Sequence, residues 1–453
     1  MQSPHDYIDQ NLERFRAELL DWLRIPSISA RPEYASDVRR AAEWASRSLA
    51  DAGLNASVEE TAGNSVVIGE WRGAGESAPT VLIYGHYDVQ PAEPLELWTS
   101  PPFEPQIRDG RVYARGAVDD KGQCFLHVKA IEAHLRTRGR LPVNVVVLIE
   151  GEEEVGSGNL LPFVRDNASR LRADAVVISD TSMIAPNVPT IGASLRGLVY
   201  TEIIVDGPAH DLHSGTYGGT VMNPATALAR IIATFHDDDG RVAVDGFYDA
   251  VDPDEEYRRL IRGLPFDEAT YLAETGAPAL AGEAGYSTLE RLWLRPTLEV
   301  NGLVSGYTGE GPKTVLPSRA LAKVSCRIVP NQDADTIAEL LRAHVHRHVP
   351  PGVEVSVRVL QGGQPWRARF DTPLYAAAAR ALERAFGKAP VYAGEGGSIP
   401  IVPAFEEVLG APVLLMGFAL PGSNTHAPDE WMSLDNFDRG LHAAAALLDE
   451  IGH

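Results

Sequence analysis

Three apolar runs of strand length punctuate the first part of the chain: 80–84 (TVLIY), 143–149 (VNVVVLI) and 175–178 (AVVI), with a helical pattern over 123–135 between two of them. Runs that stay apolar at nearly every position suit strands covered on both faces, and covering both faces takes helices on each side. The alternation predicts a wound, mostly parallel α/β sheet. Such a sheet gathers its chemistry at the carboxyl ends of its strands. The first run leads into Gly85-His86-Tyr87-Asp88, the second into Glu150-Gly151-Glu152-Glu153-Glu154 and the third into Ser179-Asp180, so residues remote in sequence should converge in one crevice. Two turn-like segments carry the same residue types, 116–122 (GAVDDKG) before the helical pattern and Ser423-Asn424-Thr425-His426 after the buried run 413–416.

After Ile191 the texture changes. Strand patterns at 198–205, 320–329 and 353–360 and helical patterns at 221–235 and 333–346 describe a small sheet with helices on one face. Within this part, 236–293 is rich in acids, glycine and proline and has no evident place in the sheet, so it reads as an elaboration. The wound pattern resumes with a helix over 374–386, a buried strand at 413–416 and a closing helix over 434–451. A chain of 453 residues is too long for one core. The predicted organisation is a larger wound α/β domain in two parts, 1–195 and 366–453, interrupted by a smaller α+β (ferredoxin-like) domain over 196–365.

Composition narrows the chemistry. With 62 acidic against 40 basic residues the net charge is -22, which disfavours nucleic acid and anionic membrane surfaces as partners. Only two cysteines are present, too few for a disulfide framework or a thiolate zinc site and in keeping with a cytoplasmic location. Residues 1–24 read as a charged amphipathic helix, and no stretch of about 20 apolar residues occurs. Imidazoles and carboxylates without thiols are the donors of hydrolytic zinc or manganese sites. Asp119, Glu154 and Asp180 bring three negative charges, while His86 and His426 bring none. Two divalent cations with a bridging hydroxide neutralise that set, and one cation does not. Taken singly, each segment has a plainer reading: the acids 152–154 as a solvated turn, Asp119-Asp120 as a helix N-cap pair, Arg327 as an ion pair at a strand edge, and 396–398 as a tight turn. His344, His346 and His348 are expected at an exposed helix end, because residues two apart do not share a helix face. No G-x-S-x-G elbow follows a strand, and the glycine-rich stretch 394–397 lacks the P-loop lysine.

The segments GHYDVQP, GAVDDKG, EGEEEVGS, ISD and NTH, joined by DLHSGTYGG (211–219), KTVLP (313–317), CRIVPN (326–331) and GEGGSIP (394–400), occur in this order along essentially the whole chain. Together they strongly resemble the M20 family of co-catalytic metallopeptidases, most of all its dipeptidase branch of carnosinase-like and cysteinylglycine-dipeptidase-like enzymes. The resemblance implies that His86 and Asp180 hold one metal, that Glu154 and His426 hold the other, and that Asp119 bridges them. Zn2+ is the first expectation, with Mn2+ or Co2+ as alternatives. Asp88 would orient His86, and Glu153 would be the general base acting on a bridging water. His213 would come from the partner subunit of a homodimer to hold the oxyanion. Arg327, Gly397 and Ser398 would bind the substrate carboxylate, with Thr314 and Asn223 as further contacts. The implied reaction is hydrolysis of dipeptides or short peptides with a free C-terminal carboxylate. A deacylase or amidohydrolase of the same family is the alternative, and a non-catalytic peptide-binding protein the rival from another class; such a binder would have no use for Glu153.

Overall fold

The computed structural model describes residues 2–252 and 254–453. Its main sheet has nine strands in the order Asn55–Glu59, Val66–Trp71, Asn144–Glu150, Thr80–His86, Ala175–Ile178, Val413–Leu415, Thr190–Leu195 and Trp366–Arg367, with Val391–Glu395 also paired to Thr190–Leu195. The four strands from Asn144–Glu150 to Val413–Leu415 are parallel neighbours. Every residue of Asn144–Glu150 is buried, as the apolar run 145–149 within it requires. The flanks depart from the expected parallel pattern. Asn55–Glu59 and Val66–Trp71 form an antiparallel hairpin at one edge, and Trp366–Arg367 pairs antiparallel near the other. The sheet is therefore mixed, with a parallel centre.

Three helices, Lys121–Arg138, Pro373–Phe386 and Leu434–Ile451, pack together in the core beside this sheet. The last carries the run Ala443 to Ala446, all buried, and such small side chains let neighbouring helices approach closely. Lys121–Arg138 is buried on all sides from Lys121 to His134, which explains why its sequence shows no amphipathic stripe. Its buried Lys129 is neutralised by Glu132 at 2.8 Å and Glu18 at 2.5 Å.

A second sheet is wholly antiparallel, in the order Thr297–Ser305, Arg319–Ile328, Gly197–Asp206, Glu354–Gly363. Helices Pro224–Ile232 and Ala334–Arg347 contribute Leu228, Ile231, Ile337 and Leu341 to its core. Residues 255–293, expected as an elaboration, form three short helices that seal the edge of the large sheet, where Tyr257, Ile261, Leu289 and Trp293 pack on Ala193 and Ala393. One expectation fails here. His344 is buried, not exposed: it contacts Thr234 Oγ1 at 2.9 Å and lies beside Phe235, because its side of the helix faces the helix 224–232. Among the described residues, no helix is long and apolar enough to cross a membrane.

Candidate metal centre and active site

His86 ends the strand Thr80–His86, and Asp180 lies two residues beyond Ala175–Ile178. Glu153 and Glu154 open a 3-10 turn shortly after Asn144–Glu150, and Asp119 stands just before the helix Lys121–Arg138. Parallel neighbours ending at the same side deliver these groups to one point. Backbone crowding helps to fix their places: a Cβ on Gly85 would meet Asp120 Oδ2 at 2.7 Å and Cys124 Sγ at 2.8 Å.

Two donor clusters result, His86 with Asp119 and Asp180, and Glu154 with Asp119 and His426. His86 Nε2 is 3.0 Å from Asp119 Oδ1 and 3.8 Å from Asp180 Oδ2. His426 Nε2 is 2.8 Å from Asp119 Oδ2 and 3.2 Å from Glu154 Oε2. Asp119 thus turns one oxygen to each cluster, the disposition of a bridging ligand.

The hydrogen bonds fix the tautomer of His86. Its Nδ1 lies 3.0 Å from the carbonyl oxygen of Asp88, which can only accept, so Nδ1 carries the proton and a neutral ring turns its bare Nε2 toward two carboxylates. Acceptors facing acceptors need a cation between them, either a proton or a metal ion. Burial lowers the proton affinity of His86, but hydrogen bonds to Asp119 and Asp88 outweigh it and raise its pKa well above the usual range. The same contacts with Asp119 and Glu154 lift His426 to about 10. Burial, then the charges of Asp120 and Asp119, push the Asp180 carboxyl far up, and burial with Asp119 raises Glu154. Carboxylates this crowded and this dry are stable as anions only when cations share the site. The N/O donor set fits two divalent ions of the zinc or manganese type.

Asp88 departs from the simple orienting role. The carbonyl makes the closer contact with Nδ1, while its carboxylate is 3.4 Å away and accepts the N–H groups of Glu153 at 3.3 Å and Glu154 at 3.2 Å. It therefore sets the turn that presents both glutamates as well as the imidazole. Glu152 is a half-buried structural partner, bound to Asn64 and Asn159. Asp120, at the N-cap position, does not cap the helix with its side chain; its Oδ2 accepts the His86 N–H at 3.3 Å.

Glu153 lines a cavity of about 280 Å³ with Asp119, Asp180, Glu395, Gly397, Ser398 and His426. Burial foremost, opposed by His86 and reinforced by the charges of Glu154, Asp119 and Asp88, raises its carboxyl well above the ordinary range. That is the direction a proton-accepting base at neutral pH requires. An adjoining cavity of about 570 Å³ brings Arg327 to Glu153, Glu154, Ser398 and His426. Arg327 donates from Nη1 to Ser398 Oγ at 2.9 Å, and among the described residues it forms no ion pair. The structure does not bring His213, Thr314 or Asn223 to these cavities. His213 lies exposed on the two-stranded ribbon Leu212–His213 and Val315–Leu316, and Thr314, also exposed, directly precedes its second strand. Asn223 caps the helix Pro224–Ile232 by accepting the Ala225 N–H at 2.9 Å.

Four participants escaped sequence reasoning. Gln90 donates to both oxygens of Glu154, from its backbone N–H to Oε1 at 3.1 Å and from Nε2 to Oε2 at 2.7 Å. Buried Glu430 accepts from Arg115 Nη1 at 2.7 Å and from the N–H groups of Gly116, Val118 and Asp119 at 2.9–3.2 Å, pinning the loop that carries Asp119. Glu395, raised to about 7 by burial, faces the smaller cavity. Arg196 lies beside the 396–398 turn and is lowered to about 10 by burial and by Arg327. Gln90 in GHYDVQP and Glu395 in GEGGSIP were visible as parts of motifs; Glu430 and Arg196 carry no local signal.

Comparison with known proteins agrees with this geometry. The model of peptidase family M20/M25/M40 matches residues 82–450. The chain is 32% identical to the Cys-Gly metallodipeptidase dug1 of Schizosaccharomyces pombe, over 99% of this chain and 97% of that protein. It is 30% identical to the human Beta-Ala-His dipeptidase, over 100% of this chain and 92% of that protein. The M20 family metallo-carboxypeptidase Sso-CP2 of Sulfolobus solfataricus superposes with a TM-score of 0.86 at 34% identity, covering 97% of this chain and 99% of that one. With two N/O clusters sharing one aspartate and a family match that spans them all, the chain belongs to peptidase family M20/M25/M40 and is a metallopeptidase.

Proposed function

We propose that the chain hydrolyses dipeptides or short peptides with a free C-terminal carboxylate. The observation that carries this reading is the pairing, across adjoining cavities, of the Asp119-centred clusters and Glu153 with Arg327, a half-buried guanidinium that has no acidic partner among the described residues. The names of the relatives, dipeptidases and a carboxypeptidase, point the same way.

In this reading His86 and Asp180 hold one divalent ion, Glu154 and His426 the second, and Asp119 both. Zn2+ is the first candidate, with Mn2+ or Co2+ next. When bound, the ions supply Lewis acidity toward the scissile carbonyl and lower the pKa of water. The chain's own groups do the rest. Arg327 and the turn at Gly397 and Ser398 fix the substrate carboxylate. Glu153 takes a proton from the attacking water and returns it to the departing amine. Asp88 and Glu430 hold the loops that aim Glu153, Glu154 and Asp119.

Residues 1–195 and 366–453 form the catalytic domain and 196–365 the lid; the strand order of the small sheet supports its ferredoxin-like description. His213 and Thr314, adjacent and solvent-exposed, are offered to the partner's site in a homodimer, where His213 donates to the oxyanion. Two free, buried thiols accord with a cytoplasmic setting.

The test is turnover of a dipeptide, its C-terminal amide and an N-acyl amino acid by chelator-treated enzyme resupplied with Zn2+, Mn2+ or Co2+. We expect no activity without metal and preference for the free dipeptide. Full activity of metal-free protein refutes the metal mechanism. Preference for the N-acyl amino acid makes the enzyme a deacylase.

A further inference from the structure

Arg196 is the single residue between Thr190–Leu195, a strand of the large sheet, and Gly197–Asp206, the first strand of the small one. The return crossing runs alongside, since Trp366 pairs with Leu195. The two crossings are so close that a Cβ on Gly197 would come within 2.5 Å of the Gly363 carbonyl oxygen and 2.7 Å of Pro365 N. From this point Arg196 reaches one turn three times. Its N–H donates to the Gly397 carbonyl at 3.2 Å, its Nε donates to the Gly396 carbonyl at 3.0 Å, and its own carbonyl accepts the Ser398 hydroxyl.

The third bond has a consequence for recognition. Ser398 has one hydroxyl proton, and it is directed to Arg196, so Oγ meets Arg327 Nη1 as an acceptor. With these bonds in place Ser398 holds the Arg327 guanidinium and has no hydroxyl proton for a substrate anion. The donors left for a carboxylate are the free N–H groups of Arg327 and those of Gly397 and Ser398, which have no intramolecular acceptor among the described residues. Arg196 holds both carbonyls that would otherwise compete for that space.

We infer that the Arg196 side chain is a positioning group: by holding the Gly396 carbonyl it shapes the Gly396-Gly397-Ser398 turn, which the Arg196 backbone also grips, and so sets the Ser398-bound Arg327 guanidinium into one carboxylate-binding unit anchored at the crossing between the sheets. This rests on the proposal that the unit takes the substrate carboxylate.

The experiment compares a dipeptide with its C-terminal amide for the wild-type enzyme and for Arg196→Met, Arg196→Lys and Arg327→Met, with metal content and thermal melting measured on each. Arg196→Met removes the side-chain donor while keeping much of its bulk. KM for the free dipeptide should rise about 10- to 100-fold, the range for losing a charge-assisted hydrogen bond, with kcat changed less than about threefold, because ground-state and transition-state binding fall together. Preference over the amide should shrink, and Arg196→Lys, which can still donate to Gly396, should lie between. Unchanged KM and preference in both Arg196 variants overturn the inference. So does a parallel loss for dipeptide and amide, which marks a merely structural residue. Should Arg196→Met not fold, the comparison of Arg196→Lys with wild type decides by the same criteria. Failure of the underlying reading looks different: wild type would not distinguish dipeptide from amide, and Arg327→Met would leave KM in place.

Discussion

Replacing Gln90 by leucine removes the Nε2 donor that lies 2.7 Å from Glu154 Oε2 and 3.3 Å from the Glu154 carbonyl oxygen, and leaves the backbone N–H contact to Oε1 at 3.1 Å intact. The amide is neutral, so the substitution changes no charge in the site. It frees one carboxylate oxygen, the same oxygen that faces His426 Nε2 at 3.2 Å. The bond to an ionised acceptor is worth about 1.5–3 kcal/mol, and loss of comparable outer contacts to metal ligands weakens binding about 10- to 100-fold. Among the described residues Gln90 makes no hydrogen bond to His86 or Asp180. The effect should therefore fall on one ion: titration of metal-stripped Gln90→Leu with Zn2+ or Co2+ should show one affinity reduced by that factor and the other held within about threefold. Equal weakening of both sites would mean that the change acts through the shared Asp119 or through general loosening of the fold. No weakening would mean that the backbone N–H alone orients Glu154. Either result refutes the assignment of Gln90.

Glu153→Gln keeps the shape of the side chain but cannot accept a proton, so the rate should fall by roughly 10² to 10⁴ with both metals retained; near-native turnover would give the proton transfer to another group. Mixing inactive His213→Ala and Glu153→Gln chains, with subunit exchange verified by mass, should give heterodimers with one working site of two, and these should show up to about half the native rate per active site if the subunits act independently; inactive mixed dimers would show that His213 does not serve a partner. Acid sensitivity follows from His127, whose imidazole burial pushes down to about 4. The unfolded chain binds that proton near 6.5, so stability present above about 6.5 is lost as pH falls and the loss is complete below about 4, amounting to about 3 kcal/mol. His127→Gln should flatten this part of the stability profile, and an unaltered slope would show that other groups govern it.

The residues of the two donor clusters were legible because each borders a segment whose conformation the sequence dictates. An all-apolar run of strand length has few alternatives to a buried strand, so the polar residues closing it fall at a sheet end. His86 and Asp180 are placed by that logic, and the paired strands confirm the convergence. The antiparallel hairpin Asn55–Glu59 and Val66–Trp71 was not legible, because an edge of the sheet requires no continuous apolar run. Glu430 looked like any acid before an aromatic residue. Its role comes from the pairing of Trp431–Ser433 with Arg111–Tyr113, which sets it against a loop more than 300 positions away. His344 was misjudged for a related reason: spacing gives the face of a helix, but what covers that face is a tertiary fact. The 255–293 helices share this limit, since their amphipathic pattern does not name the sheet edge they cover.

The proposed division of labour between the two sheets has a kinetic consequence. The residues that could hold metal, and Glu153, all stand at strand ends or on loops of the large sheet, whose core gives them rigid supports. Arg327 stands on a strand of the small sheet, and a substrate held at both ends spans the crossing between them. The chemical step is then governed by geometry within the large sheet, while capture of the carboxylate depends on how the sheets sit relative to one another. Substitutions at the crossing, such as Gly197→Ala, which would press against Gly363 and Pro365, should act mainly on KM. Changes at the strand ends, such as Asp88→Asn, should act mainly on kcat, because they disturb groups that strengthen their interactions in the transition state. Steady-state kinetics on these two variants separates the cases. A kcat defect in Gly197→Ala with KM unchanged would show that the crossing also sets the catalytic geometry, and the separation of roles between the sheets would have to be given up.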